Sequence, residues 1–214
     1  MFGLGQRTVS HSRITAAAMP TSRSAEVTLT EVLDLLSARY SLLDAAGDRR
    51  AAYCRIYARY TAGLRREIAA GGFGATASWL AGLELDTARR YVRAIDEWGC
   101  HNMWSIPAPW RAAFTLAADG SGDGVSASLR AHLSYELPLA IARAGTVRGA
   151  DRAFKRAGRI FGAAAAPLYM HDVIALHAAA WREGAALAAA GDDEREAVYR
   201  RLQMDTMQAI VQGR

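Results

Sequence analysis

The sequence predicts an all-α fold: a single-domain helical bundle of about seven or eight helices with one Pro-kinked helix at its centre. Apolar residues recur at three- and four-residue spacing through most of the 214 residues, and no segment alternates with the period of two that a strand requires. Gly and Pro punctuate the chain at intervals suited to helix ends. With 51% hydrophobic residues the chain can bury a sizeable core. No run approaches the roughly 18 uninterrupted apolar residues of a membrane span.

The elements follow in order. Residues 1–25 are rich in Ser, Thr, Gly and Arg without periodicity, and read as a flexible leader ahead of a helical domain over 26–214. Thr28 and Glu31 are spaced as a capping box, so the first helix is expected from there, with Val32, Leu36 and Leu43 on its apolar stripe and Gly47 as its stop. Asp48 is placed to cap a second helix, whose stripe Tyr53, Ile56, Tyr57, Tyr60, Leu64 and Ile68 runs to Gly71-Gly72. A third stretch starts around Phe73 and Trp79, and a longer helix from Asp86 carries Tyr91, Ile95 and Trp98. Pro109 suits the first turn of a short helix with Trp110 and Phe114. The Gly-rich stretch from Asp119 to Gly124 reads as a connector, after which Ser126 opens the helix that bends at Pro138. Asp151 is expected to cap the next helix, Pro167 separates it from a long helix containing Trp181, and a last helix follows Gly191-Asp192.

Charge and cysteine usage exclude several classes. A net charge of +5 invites a nucleic-acid reading, but the arginines are scattered among Asp and Glu, with no dense basic run interleaved with aromatics. Neither nucleic acid nor a membrane is expected as a partner. A small molecule is, and homodimer formation is left open. Arg7 and Arg13 are not followed by a leucine-rich stretch and cleavage site, so a cytoplasmic location is expected, with Cys54 and Cys100 reduced and buried.

The stretch most informative for function is Arg130-Ala131-His132-Leu133-Ser134-Tyr135-Glu136-Leu137-Pro138. On a helix, His132 and Glu136 lie on one face a turn apart, close enough to share a proton, a substrate or a metal ion. Pro138 removes the hydrogen bond to the Ser134 carbonyl and bends the helix beside them, a defect of about 3 kcal/mol. Acid–base work by His132, with Glu136 fixing its tautomer or sharing its proton, is the simplest chemistry for this pair. Arg130 and Arg143 are candidates to hold a carboxylate or enolate, Ser134 supplies the freed carbonyl, and Tyr53, Tyr57 and Tyr91 offer phenolic donors in an aromatic-lined pocket. The structural alternative is a kinked core helix with Leu133, Leu137, Ala140 and Ile141 packed inward.

No cofactor is expected, and a divalent metal is the alternative. His132 and Glu136 would give two ligands, and His101, His171, Asp172 and His177 are the remaining donors, though His171 and His177 point to different faces of one helix. The run Asp192-Asp193-Glu194-Arg195-Glu196 has the look of the acidic magnesium box of terpene cyclases, but acidic residues after a glycine also open ordinary helices. There is no Gly-x-Ser-x-Gly elbow and no phosphate-binding glycine loop. A ligand-sensing repressor would need a helix-turn-helix with a basic recognition helix, which the first sixty residues lack.

Several segments together resemble a family of small all-helical proteins common in actinobacteria, the domain-of-unknown-function family 5995. They are Gly72-Phe73 with Trp79-Leu80, Leu83 to Ile95, Trp110 to Phe114, Ala131-His132 to Leu139, Asp151 to Phe154 and Ala180-Trp181, covering roughly residues 30–190. The family motif resembles Asn-Ala-His-Ile-Asn-(any)-Asp-Leu-Pro-Leu-Ala. Here the His and Leu-Pro stand as His132 and Leu137-Pro138, while Arg130 and Ser134 replace both asparagines and Glu136 replaces Asp. The resemblance strengthens His132 and Glu136 as a site without naming a reaction. The expectation is a small-molecule enzyme using acid–base catalysis, for cyclisation, isomerisation, elimination or hydrolysis, in a bundle pocket around this pair, suited to specialised natural-product metabolism. A metal-dependent hydrolase at the same site and a non-catalytic small-molecule binder are the alternatives.

Overall fold

The computed structural model describes residues 22–213, which fold into helices α1 (Ser22–Ala45), α2 (Ala51–Ala69), α3 (Ala77–Gly99), α4 (Ala108–Asp119), α5 (Gly124–Arg130), α6 (Leu137–Ala144), α7 (Ala150–Ala164), α8 (Met170–Ala189) and α9 (Asp192–Val211). A π-helical segment, Ala131–Glu136, joins α5 to α6 without a break, so these nine stretches form eight rods. No strand occurs among the described residues. No described helix is long and apolar enough to cross a membrane.

The apolar spacing of each helix becomes its buried face. On α1, Leu29, Val32, Leu36 and Leu43 turn inward against α2 and α3. On α2, Tyr53, Tyr57, Tyr60, Leu64 and Ile68 are fully buried, and the aromatic three form the middle of the core. Burying each large side chain contributes about 1.5–3 kcal/mol, which makes this stripe the main reason α2 is central. The second half of the chain packs around α8, which lies against α6 and α7, while α7 closes on α2.

Several helix starts differ from the sequence expectation. The leader assigned to residues 1–25 falls outside the described residues for 1–21, and α1 already begins at Ser22. Ala25, buried at the same face as Leu29, extends the apolar stripe one turn back. Thr28 is therefore mid-helix, its hydroxyl donating to the Ser24 carbonyl at 3.0 Å rather than capping. The two stretches expected from Trp79 and from Asp86 are one helix, because Leu80, Leu83, Thr87 and Ala88 continue a single face. Asp123, not Ser126, caps α5, accepting from the Val125 and Ser126 amides at 3.0 and 3.1 Å. Asp151 lies inside the first turn of α7 and pairs with Lys155 at 2.9 Å, the turn before it being made by Gly149 at φ +85°. Asp48 lies upstream of α2, where its carboxylate accepts from the Arg50 amide and guanidinium. Cys100 is exposed because it closes the end of α3, while Cys54 is buried as expected.

The Pro138 kink takes the form of the π segment. The Leu137 amide donates to the His132 carbonyl, five residues back instead of four. Widening the turn by one residue relieves the clash between the proline ring and the preceding turn, so the rod continues past a residue that otherwise breaks helices.

Candidate functional site

The π segment runs through the centre of the bundle and contacts α3, α4, α5, α6, α8 and α9. Its wide turn holds His132 and Glu136 together, with Nδ1 and Oε2 3.4 Å apart and both residues at most 4% exposed. That separation is at the long end for a hydrogen bond. π turns of this kind occur frequently at functional sites.

The two members of the pair face different surroundings. Glu136 reaches a cleft of about 300 Å³ whose floor it shares with Trp110 and Leu139. Arg90 and Arg93 of α3 and Arg143 of α6 line the same cleft, with Tyr135 and Tyr199 on the α9 side. Asp86 ties two of these arginines together, its carboxylate accepting from Arg90 Nε at 3.1 Å and from Arg143 Nη2 at 2.7 Å. Arg93 leans toward Glu97 at 3.7 Å. Tyr135 and Tyr199 join hydroxyls at 2.9 Å and so fasten α9 to the π segment.

His132 faces the opposite way, into an aromatic box, and is 1% exposed. Its ring centroid lies 4.9 Å from Tyr57, 5.8 Å from Phe161 and 6.4 Å from Tyr53. Tyr53 packs in turn on Tyr91 and Trp110, which carries the box to the cleft floor.

Polar groups run through this box. Tyr57 shares a 2.7 Å hydrogen bond with Thr87, and the Tyr60 hydroxyl donates to Glu84 Oε1 at 2.6 Å. Glu84 Oε2, the Tyr53 hydroxyl and Trp110 Nε1 are buried with no hydrogen-bond partner among the described residues. Groups of this kind are normally satisfied, and leaving one unpaired costs about 1–3 kcal/mol.

The electrostatics follow from burial. Loss of water raises the Glu136 carboxyl above its ordinary range, against the opposing pull of His132, Arg90 and Arg143. Burial pushes Glu84 up to about 7, although Tyr60 and His132 both favour its charged form. The buried phenols of Tyr53, Tyr57, Tyr60 and Tyr91 are raised by the same loss of solvent and stay protonated.

Of the residues singled out from sequence, the structure brings His132, Glu136, Tyr53, Tyr57 and Tyr91 into one cluster, with Arg143 at the cleft mouth. Arg130 and Ser134 are half-buried and do not line the cleft, and the three tyrosines pack behind its floor. Glu84, Tyr60, Thr87 and Trp110 complete the cluster. Glu84 had a signal in the sequence: an acid on the stripe Leu80, Leu83, Thr87, Tyr91 that otherwise faces the core. The remaining metal-ligand candidates are dispersed. His171 and Asp172 are exposed at the start of α8, and His101 occupies a loop at φ +58°. Among the described residues no group of three or more His, Cys, Asp or Glu side chains is arranged to hold a metal ion.

The family model of DUF5995, a family of unknown function, matches residues 29–167. The chain belongs to this family. The DUF5995 match includes Glu84, the whole π segment and Arg143, while α8 and α9, and with them Tyr199 of the cleft, lie beyond it. No match is found among curated proteins, nor among solved structures.

Proposed function

We propose that this DUF5995 protein is a small-molecule enzyme in which Glu136 exchanges a proton with a substrate held in the arginine-lined cleft. The observation that carries this reading is the position of Glu136, a buried carboxyl that meets the cleft on one side and His132 on the other. A carboxyl raised by burial retains its proton closer to neutral pH and serves as a general acid. His132, sealed behind it, acts through Glu136 as a positioning residue: it takes up or returns the proton across the 3.4 Å contact, which a bound substrate would tighten.

The cleft suits a small, partly apolar anion. Arg90, Arg93 and Arg143 supply forked donors for a carboxylate, and Trp110, Pro107 and Leu139 supply apolar contact. The reaction class is proton transfer at carbon or oxygen, which covers isomerisation, elimination, cyclisation and hydrolysis, and suits a role in natural-product metabolism. No cofactor is needed for such a step.

The test is solvent exchange. The full chain is incubated in D2O with β-keto and β,γ-unsaturated carboxylates, and loss of C–H signal is followed by proton NMR. Exchange with at least one of them, abolished in Glu136→Gln and slowed in His132→Gln, is the expected result. Binding without exchange, or exchange indifferent to Glu136→Gln, overturns the enzyme reading and leaves a non-catalytic binder.

A further inference from the structure

A second recess lies on the far side of the bundle, between α7 and α8, and is independent of the acid–base reading. It encloses about 480 Å³, within the range of small-molecule sites. Its floor is Phe154, Gly158, His177 and Trp181, and its rim carries Asp151, Lys155, Arg159 and Arg182.

The floor is built around one buried polar group. His177 is 2% exposed, stacks on Phe154 with centroids 4.0 Å apart, and makes no hydrogen bond among the described residues. Gly158 permits that position, since a Cβ there would come within 2.9 Å of His177 Nδ1. Burial, with a smaller effect of His132, pushes His177 down to about 3, so the imidazole is neutral at physiological pH and offers one donor and one acceptor. Trp181 lies 5.4 Å from Phe154 at 35°, so the two rings flank the recess with apolar faces.

The rim carries unbalanced positive charge. Lys155 is paired with Asp151 at 2.9 Å. Arg159 and Arg182 are exposed and form no ion pair among the described residues. An aromatic floor with one polar atom below and two unpaired guanidinium groups above is complementary to an amphipathic anion.

We infer that this recess is a binding site for a flat aromatic carboxylate, its ring against Phe154 and Trp181, its carboxylate held by Arg159 and Arg182, and a polar substituent at its buried end meeting His177. The site is separate from the Glu136 cleft. Between them stand Phe161, 6.4 Å from His177, and His132, 5.8 Å from Phe161.

The test uses 6-hydroxy-2-naphthoate and its uncharged amide, titrated into the full chain with 15N-labelled histidine. The expected result is a saturable shift of the His177 ring nitrogens, identified by their loss in His177→Gln, with the acid bound more tightly than the amide. Arg159→Gln/Arg182→Gln should weaken the acid about tenfold and leave the amide unchanged. Both substitutions are at exposed positions, and an unchanged melting curve verifies the fold. Glu136→Gln should leave acid binding unchanged even if it abolishes proton exchange in the cleft. No His177 shift, equal affinity for acid and amide, full binding by the double arginine variant, or loss of binding in Glu136→Gln would each overturn the proposal.

Discussion

Oε2 of Glu136 lies 3.4 Å from Nδ1 of His132, and only the Glu136 end of that pair lines the cleft. The π segment produces both facts. Its wide turn brings residues four apart together while turning one toward α3 and α6 and the other into the aromatic core. The residue that meets solvent is therefore the carboxyl, and the imidazole is the buried partner.

Burial raises the Glu136 carboxyl, and its contact with His132 pulls it back only in part. Carbon-detected NMR of glutamate carboxyls should give Glu136 a midpoint above the ordinary 4.5. His132→Gln should raise it further by removing the group that favours ionisation. A wild-type midpoint at or below 4.5 would contradict the geometry.

Glu84 makes stability depend on pH in a definite direction. Its folded value of about 7 lies above the ordinary 4.5, so the native state binds the proton more tightly than the unfolded chain. Stabilisation is therefore complete below about 4.5 and lost as pH rises through 7, a change of about 3 kcal/mol for this group. Urea denaturation at a series of pH values should show the decline, and Glu84→Gln should flatten it. An unchanged slope in that variant would show that Glu84 titrates normally.

Tyr60→Phe removes the hydroxyl that donates to Glu84 Oε1 at 2.6 Å. The carboxylate then loses its 2.6 Å donor on Oε1, and Oε2 has no partner among the described residues to compensate. The variant should lose about 1–3 kcal/mol at pH 8 and less at pH 5, where the carboxyl is protonated. Equal losses at both pH values would point to cavity effects instead.

Asp48 gives the opposite slope. Burial alone would raise its carboxyl, but hydrogen bonds from Arg50 outweigh this and leave it below the ordinary 3.8. Its contribution is present above 3.8 and disappears as pH falls through the folded value. The Arg50 guanidinium is also held 5.5 Å from the Trp98 ring and 5.4 Å from Phe114. Asp48→Asn should lower the melting temperature at pH 7, and the difference from wild type should shrink toward pH 2.

Gly184 sets the contact between α8 and the helix that follows the π segment. A Cβ there would fall 2.6 Å from Ile141 Cβ and 2.9 Å from the Pro138 carbonyl oxygen. Gly184→Ala should therefore force α8 outward and destabilise by about 1–3 kcal/mol, despite alanine's better helix propensity. A more stable variant would mean that α8 is free to shift.

The helices and their inward faces were legible in the sequence because each carries its own periodic stripe: Tyr53 to Ile68 on α2, or Trp110 and Phe114 after Pro109 on α4. The His132–Glu136 pairing was legible for the same reason, since i,i+4 proximity on a helix is a local property. The first turn of α1 was not, because Thr28-x-x-Glu31 has the form of a cap and only burial of Ala25 shows the helix passing through it.

The sequence by itself determined an all-α chain and a histidine–carboxyl pair beside a proline, both of which follow from local spacing, and its motifs carried the resemblance to DUF5995 that the family match over residues 29–167 bears out. Tertiary structure decided that Pro138 is absorbed by a π turn, that Glu136 rather than His132 reaches the cleft, and that Glu84 and His177 are buried without full hydrogen-bonding. These depend on which face each neighbouring helix presents. Packing between α2, α3, α7 and α8 sets that, and no spacing within one helix encodes it.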